Sequence, residues 1–360
     1  MGRSSAPSGS VLASARGVTR APSDGQTDHT SSPADDRERL LEILRHNEGF
    51  AEPERWVEYA RAHRFQPVRA YRLDRCPDCG TTASTPVGQY VYYSTLMTLR
   101  RCAECGLVYS DVRLDADVTA RHFEQAYHDE RYFMVRRRRI FAQLSALVAR
   151  SVPRGGRVID VGGAKGHLMA ALRRRRPDVA ITICDLSPSS CQWAQSTYGF
   201  RTVCGTVAAL DGAAEPCDAL VLSDVIYYEP DLPALWRVLP RIVKPGGSVF
   251  IRVPNKLWLI DAAEWVAART RPAARRALRT SVPFFNPEHL YVMSRAYLTR
   301  RLRDAGFTEV RALPAEMLVR GGASDALPVL LYRLANAVHA ATGGRVTVTP
   351  SMIVTARREG

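Results

Sequence analysis

Two Cys-x-x-Cys pairs are spaced for metal chemistry. Cys76-Pro77-Asp78-Cys79-Gly80 and Cys102-Ala103-Glu104-Cys105-Gly106 are separated by 22 residues between Cys79 and Cys102. Each pair presents two thiolates from one knuckle, and four thiolates suit a tetrahedral zinc ion with no open coordination position. Gly80 and Gly106 permit the turn that aims both sulfurs of a knuckle at one ion. The expectation is structural Zn2+ on Cys76, Cys79, Cys102 and Cys105. A disulfide or redox role suits two matched knuckles less well. Cys184, Cys191, Cys204 and Cys217 show no ligand spacing, and Cys184 and Cys204 read as small core residues of strands.

A second constellation begins at Arg157-Val158-Ile159-Asp160-Val161-Gly162-Gly163-Ala164-Lys165-Gly166-His167-Leu168. Residues with β preference run into an acid, then a glycine turn, then an apolar helix. Such a unit brings backbone N–H groups and a helix N-terminus up to a ligand. A dinucleotide fingerprint starting at Gly162 would need glycine where Ala164 and His167 stand, which disfavours nicotinamide or flavin. Asp185 closes a second apolar run and has the chemistry to accept from two ribose hydroxyls. Asp224 and Asn255 close two more. His289, beside Glu288, carries a side chain whose ordinary pKa of about 6.5 suits proton abstraction.

The elements that must position these residues alternate. Strands are expected at Arg157–Val161, Val179–Cys184, Arg201–Cys204, Ala219–Leu222, Ser248–Val253, Phe307–Leu313 and Ser351–Ala356. Helices are expected between them, at Gln192–Tyr198, Leu232–Val243, Ser294–Leu302 and Leu327–Ala340. This pattern predicts an α/β fold, a doubly wound and mostly parallel seven-stranded sheet, with ligands at the carboxyl ends of its strands. A small N-terminal zinc ribbon precedes it.

The division expected is a disordered tail at 1–36, short helices at 37–70, the zinc ribbon at 71–115 and a helical connector or cofactor cap at 116–150. The main domain is 151–360, with an arginine-rich insertion at 257–287. Tyr127 and Tyr132 of the connector either close over a ligand or are core aromatics. No apolar run reaches the ~20 residues of a membrane span, and no secretory signal is evident, so the expected setting is cytoplasmic without a membrane partner. The net charge is +14, but of 50 basic residues only Lys165, Lys244 and Lys256 are lysine. That skew reads as compositional bias. The runs Arg136–Arg139 and Arg173–Arg176 would spread around their helices as solvated surface rather than form a nucleic-acid face.

The ordered signals include both knuckles, the glycine turn, Pro245-Gly246-Gly247, Val253-Pro254-Asn255, Pro287-Glu288-His289-Leu290-Tyr291 and Ala305-Gly306-Phe307. Together they resemble class I S-adenosylmethionine-dependent methyltransferases, more narrowly a bacterial subfamily with an N-terminal four-cysteine zinc module that includes sugar C-methyltransferases. The resemblance spans roughly Arg75 to Arg358. It implies S-adenosylmethionine as cofactor, with Gly162, Gly163 and Gly166 near its methionine part and Asp160 near its ammonium group. Asp185 and Leu186 would meet the ribose, Thr206 and Val207 the adenine, and Asp224 and Val225 the region of the sulfonium. His289 would be the base, Glu288 its orienter, and Tyr291 or Tyr228 supporting hydroxyls. Ala164 stands where the family has glycine. The expected acceptor is a small molecule, a sugar or secondary metabolite, methylated at oxygen, nitrogen or carbon. An RNA methyltransferase is the alternative, against which Ser223-Asp224-Val225-Ile226 lacks the Asn/Asp-Pro-Pro-aromatic tetrapeptide of base-amino-methylating enzymes. A non-catalytic zinc scaffold is the third reading, opposed by intact Asp160, Gly166 and Asp185.

Overall fold

Side-chain alternation builds a sheet with two buried faces. In the computed structural model, which describes residues 70–92, 95–114, 119, 132–269, 288–319 and 325–360, Ala219 and Val221 join one core cluster while Leu220 and Leu222 join another. Such a period of two, apolar on both faces, marks a strand covered by helices on each side.

The N-terminal part holds β1 (Ala70–Arg72), β2 (Ser84–Tyr92), β3 (Thr95–Cys102), β4 (Val108–Ser110) and β5 (Val112–Leu114). A π-helical turn at Tyr132–Arg136 leads into α1 (Arg138–Ser151). Then follow β6 (Arg157–Val161), α2 (His167–Arg175), β7 (Ala180–Asp185), α3 (Pro188–Tyr198), β8 (Arg201–Cys204), β9 (Cys217–Ser223), α4 (Leu232–Ile242) and β10 (Val243–Pro254). The remainder is α5 (Leu257–Arg269), β11 (Tyr291–Val292), α6 (Arg295–Asp304), β12 (Phe307–Pro314), α7 (Ala326–Ala341) and β13 (Ser351–Arg358).

The large sheet has seven strands in the order β12-β13-β10-β9-β6-β7-β8. Strands β10, β9, β6, β7 and β8 pair in parallel, while β13 runs antiparallel to both its neighbours. The expected seven-stranded, mostly parallel α/β fold is therefore what the chain adopts. Ile140, Leu144 and Val148 of α1 cover one face with Leu168 and Leu172 of α2. Leu235 and Leu239 of α4 and Leu298 and Leu302 of α6 cover the other.

Local chemistry sets the helix ends. Ser187, Asp231 and Ser294 each accept a hydrogen bond from a first-turn N–H, of Ser190, Ala234 and Tyr297 at 3.1, 2.9 and 3.0 Å. The turn Lys244–Gly247, expected to separate helix from strand, lies within β10, where the pairing with β9 shifts register between Val243 and Ser248. The tail at 1–36, the helices of 37–69, Tyr127 and the 270–287 part of the insertion lie outside the described residues.

Two features depart from expectation. Cys204 is exposed on β8, because that strand is the sheet edge. The cysteine hairpin is also continuous with the main domain: β11 pairs with β4, giving the four-stranded sheet β11-β4-β3-β2. Cys76, Leu107 and Tyr109 share a core cluster with Tyr297 and Leu298 of α6.

Candidate active site

At the end of β6 the chain must turn beneath a neighbouring loop. Gly162 has φ +65°, and a Cβ there would lie 2.4 Å from Val225 Cγ2. Ala164 also takes a positive φ of 45°, so this alanine accepts a backbone conformation that favours glycine. Gly163 and Gly166 stand behind the cavity wall. Added Cβ atoms would approach Asp160 Oδ2 at 2.9 Å and the Phe200 ring at 3.1 Å.

Asp160 lies under this turn, 1% exposed, and its Oδ2 has no hydrogen-bond partner among the described residues. Burial, then the charge of Asp185, pushes its carboxyl up to about 8, with Arg137 opposing. Asp185 Oδ2 accepts from the Ala164 N–H at 2.7 Å and Oδ1 from the Ser187 N–H at 2.9 Å. That carboxylate fastens the glycine turn to the start of α3 and still faces a cavity of about 710 Å³.

The cavity runs along the carboxyl ends of β6, β7, β8, β9 and β10. Its wall contains Gly162, Asp185, Leu186, Thr206, Val207, Asp224, Val225, Tyr228, Glu288 and His289, all named from the sequence. Tyr291 is not brought there. It is 1% exposed in β11, where it pairs with Tyr109 of β4 and has the Arg113 guanidinium 5.0 Å over its ring. Phe133, Arg137, Glu229, Arg252, Lys256, Met317, Leu318 and Ser351 also line the cavity and were not singled out. Arg137 and Arg252 hide in basic or apolar runs that read as surface or core. Lys256 directly follows Asn255, read as closing a strand, and that position was the available signal; Glu229 lies beyond a short helical turn after β9.

Asp224 has φ +60° and closes β9. Arg137 Nη2 donates to its Oδ2 at 2.5 Å, and Arg252 Nη1 donates to Oδ1. Burial alone would raise this carboxyl, but Arg252 and then Arg137 outweigh it and hold Asp224 below the ordinary carboxylate range. So Arg137 is a cavity residue rather than solvated surface. Among the described residues Glu229 has no such arginine partner. Burial pushes it up to about 7 despite backbone N–H groups at Asp231 and Val207.

His289 is 8% exposed, with its ring centroid 4.0 Å from that of Tyr227 and 5.4 Å from that of Tyr228. Burial, then the Lys256 charge, holds it down to about 3, so the imidazole is neutral near pH 7. Leu290 next to it donates its N–H to Tyr227 O at 3.0 Å and accepts from the Ser110 N–H at 2.9 Å. The histidine therefore sits on a segment tied both to the loop after β9 and to the cysteine module.

In that module the Sγ atoms of Cys76, Cys79, Cys102 and Cys105 all lie within 4.8 Å of one another. Cys76–Cys105 and Cys79–Cys102 approach to 3.5 Å. The knuckles repeat one turn, with the Gly80 N–H donating to Cys76 O at 2.9 Å and the Gly106 N–H to Cys102 O at 3.1 Å. Arg301 of α6 holds Asp78 between the first two cysteines, Nε to Oδ2 at 2.7 Å.

A family description, methyltransferase domain, matches residues 132–312. The chain belongs to that family and is a class I S-adenosylmethionine-dependent methyltransferase. It is 30% identical over 120 residues to the ubiquinone biosynthesis O-methyltransferase of Xanthomonas axonopodis pv. citri (strain 306), a match covering 32% of this chain and 49% of that protein. It is 28% identical over 148 residues to the mitochondrial ubiquinone biosynthesis O-methyltransferase of Mus musculus, covering 38% and 39%. The matches thus span half or less of those curated relatives. Among solved structures, a SAM-dependent methyltransferase from Archaeoglobus fulgidus aligns at TM-score 0.39 and 14% identity, over 61% of this chain and 94% of that one. The plantazolicin methyltransferase BamL, solved with SAH, aligns at TM-score 0.38 and 13% identity, over 68% and 90%. Among the described residues no helix is long and apolar enough to cross a membrane.

Proposed function

We propose that this enzyme methylates a small molecule, a sugar or secondary metabolite, inside the cavity over β6 to β10, with structural zinc on the four cysteines. The observation that carries the reading is the cavity's asymmetry. Its β6–β8 end combines an orphaned buried carboxylate oxygen, Asp160 Oδ2, with the Asp185 carboxylate and a glycine turn. This donor set fits a nucleoside bearing an ammonium group. In this reading Asp160 serves that ammonium from beneath the glycine turn, Asp185 and Leu186 serve the ribose, and Thr206 and Val207 the base.

When bound, the cofactor supplies an electrophilic methyl group on a sulfonium. An acceptor lone pair would take that methyl, with the neutral thioether as the leaving group. The chain's task is alignment and, for a protonated acceptor, removal of a proton. His289 is the assigned base. Its ring is neutral at physiological pH and packs against that of Tyr227. Glu288 and Tyr228 stand in the same wall as supports. Oxygen is the first acceptor atom to test, because the named relatives are O-methyltransferases.

For the metal, a zinc–thiolate bond of about 2.3 Å sets tetrahedral sulfur separations of about 3.8 Å, close to the cluster's own spacing. Four protein ligands leave no coordination position for substrate, so the ion's role is structural.

Calorimetric titration with S-adenosylmethionine tests the site. The parent protein should bind, and Asp185→Ala should weaken binding by about tenfold or more through loss of charge-assisted bonds. Absence of binding by a folded parent protein would overturn the cofactor assignment.

A further inference from the structure

The two ends of the cavity differ in charge. The β6–β8 end carries the Asp185 carboxylate, with the Asp160 carboxyl beneath it, which suits a cationic cofactor. The opposite end, over β10 and β13, carries a cation that forms no salt bridge among the described residues. Lys256 lines the cavity and is half-buried. No carboxylate forms a salt bridge with it among the described residues. Nearby Asp224 is already held by Arg137 and Arg252.

The other two lysines have evident partners: Lys244 Nζ lies 2.8 Å from Asp218 Oδ2, and Lys165 Nζ lies 5.4 Å from the Trp193 ring centroid. Partial burial draws the Lys256 ammonium below its ordinary range, because desolvation disfavours the charged form. Its charge is felt by His289. Asp160, in contrast, feels Asp185 and Arg137. Strand order agrees with this separation. Lys256 follows β10, and β9 lies between β10 and β6, which sets Lys256 roughly 10 Å from the glycine turn. Tyr227, Tyr228, Met317 and Leu318 wall the space beside it with apolar surface.

Resting on the function proposed above, we infer that the methyl acceptor carries an anionic group, a carboxylate or a phosphate. Lys256 receives that group, and the uncharged body of the acceptor lies along Tyr227, Tyr228 and Met317. A compact ammonium on a flexible stem suits such a point contact. Lys256 then acts as a specificity residue: it selects acids and fixes which end of the acceptor faces the cofactor. Lys256 immediately precedes α5, which sets the start of the insertion beside the acceptor site.

The test uses full-length protein saturated with S-adenosylhomocysteine and two matched probe pairs, benzoate against benzamide and phenyl phosphate against phenol. Binding is read by calorimetry or ligand-observed NMR. The parent should prefer at least one anion over its neutral partner by about tenfold or more, and whichever anion is preferred identifies the group. Lys256→Met should abolish that preference with S-adenosylhomocysteine affinity unchanged, which also shows that the variant is folded. Lys256→Gln replaces it should the methionine variant not fold. Equal binding of acid and neutral probes by the parent would overturn the inference. So would a variant that loses S-adenosylhomocysteine as much as it loses the anion, because Lys256 would then serve the cofactor's own carboxylate. Failure of the folded parent to bind S-adenosylhomocysteine would instead overturn the proposed function.

Discussion

Asp160 shows a single residue placed against its own stability. An unfolded chain releases this proton near 3.8, whereas burial and Asp185 keep it on the folded chain up to about 8. Between those values the folded state binds more protons, so this group's contribution to stability is lost as pH climbs through the window. Asp160→Asn removes that dependence. The cofactor-free variant should melt above the parent at pH beyond 8, where the parent carries a buried carboxylate. It should also lose about tenfold or more in S-adenosylmethionine affinity, measured by the same calorimetry. A variant that is neither stabilised nor weakened would show that Asp160 is merely packed. His289 makes the converse case. Its residue type suggested a titration near neutrality, but burial and Lys256 hold it down to about 3. The rate profile should therefore show no acidic limb near 6.5. If His289 removes the acceptor proton, His289→Asn should cut kcat by about 10²- to 10⁴-fold while cofactor binding stays at the parent value. An unchanged kcat would remove His289 from the chemistry.

At the scale of elements, the decisive contact is β11 on β4. Tyr291 pairs with Tyr109 and Val292 with Val108, while Leu290 bridges Tyr227 and Ser110. The cysteine hairpin thereby holds the segment that carries His289. Metal binding at such a hairpin contributes directly to its folding. Chelation, followed by metal analysis to confirm its loss, should therefore increase hydrogen exchange at the Leu290 and Ser110 amides. Cofactor binding at the distant β6–β8 end should persist. Unchanged exchange at these amides would show that the module is independent of the site. None of this coupling was legible in the sequence, because a two-residue strand has no period to read and its partner lies about 180 residues upstream. The parallel core was legible for the opposite reason. Its inner strands β6, β7 and β9 are largely apolar runs, and Asp160, Asp185 and Asp224 fall at or just beyond their ends, where such sheets bind ligands. Tyr291 was misplaced because its direction depends on a register set by β4. Cys204 was misjudged because edge position is a property of the whole sheet.

At the scale of the whole molecule, the question is what a net charge of +14 does. Several of the arginines behind it are engaged within the fold. Arg137 and Arg252 grip Asp224, Arg139 grips Glu316, and Arg301 grips Asp78. Arg173 donates to Tyr198 O, and Arg176 donates to Ala149 O, Val152 O and Asp178. A run that looks like a polyanion patch in sequence is thus split among backbone carbonyls, carboxylates and the cavity. Arginine suits this work, since its planar fork satisfies several acceptors at once. Tight binding to single-stranded RNA requires many simultaneous phosphate contacts, each steepening the salt dependence by about 0.7 in log–log slope. A fold that uses its arginines internally should make few. Fluorescence anisotropy with a labelled RNA oligonucleotide across a salt series should show weak binding that vanishes near physiological ionic strength, with a slope of magnitude about 2 or less. A steep slope of about 5, with saturable binding retained at physiological salt, would restore RNA as the acceptor and displace the small-molecule reading.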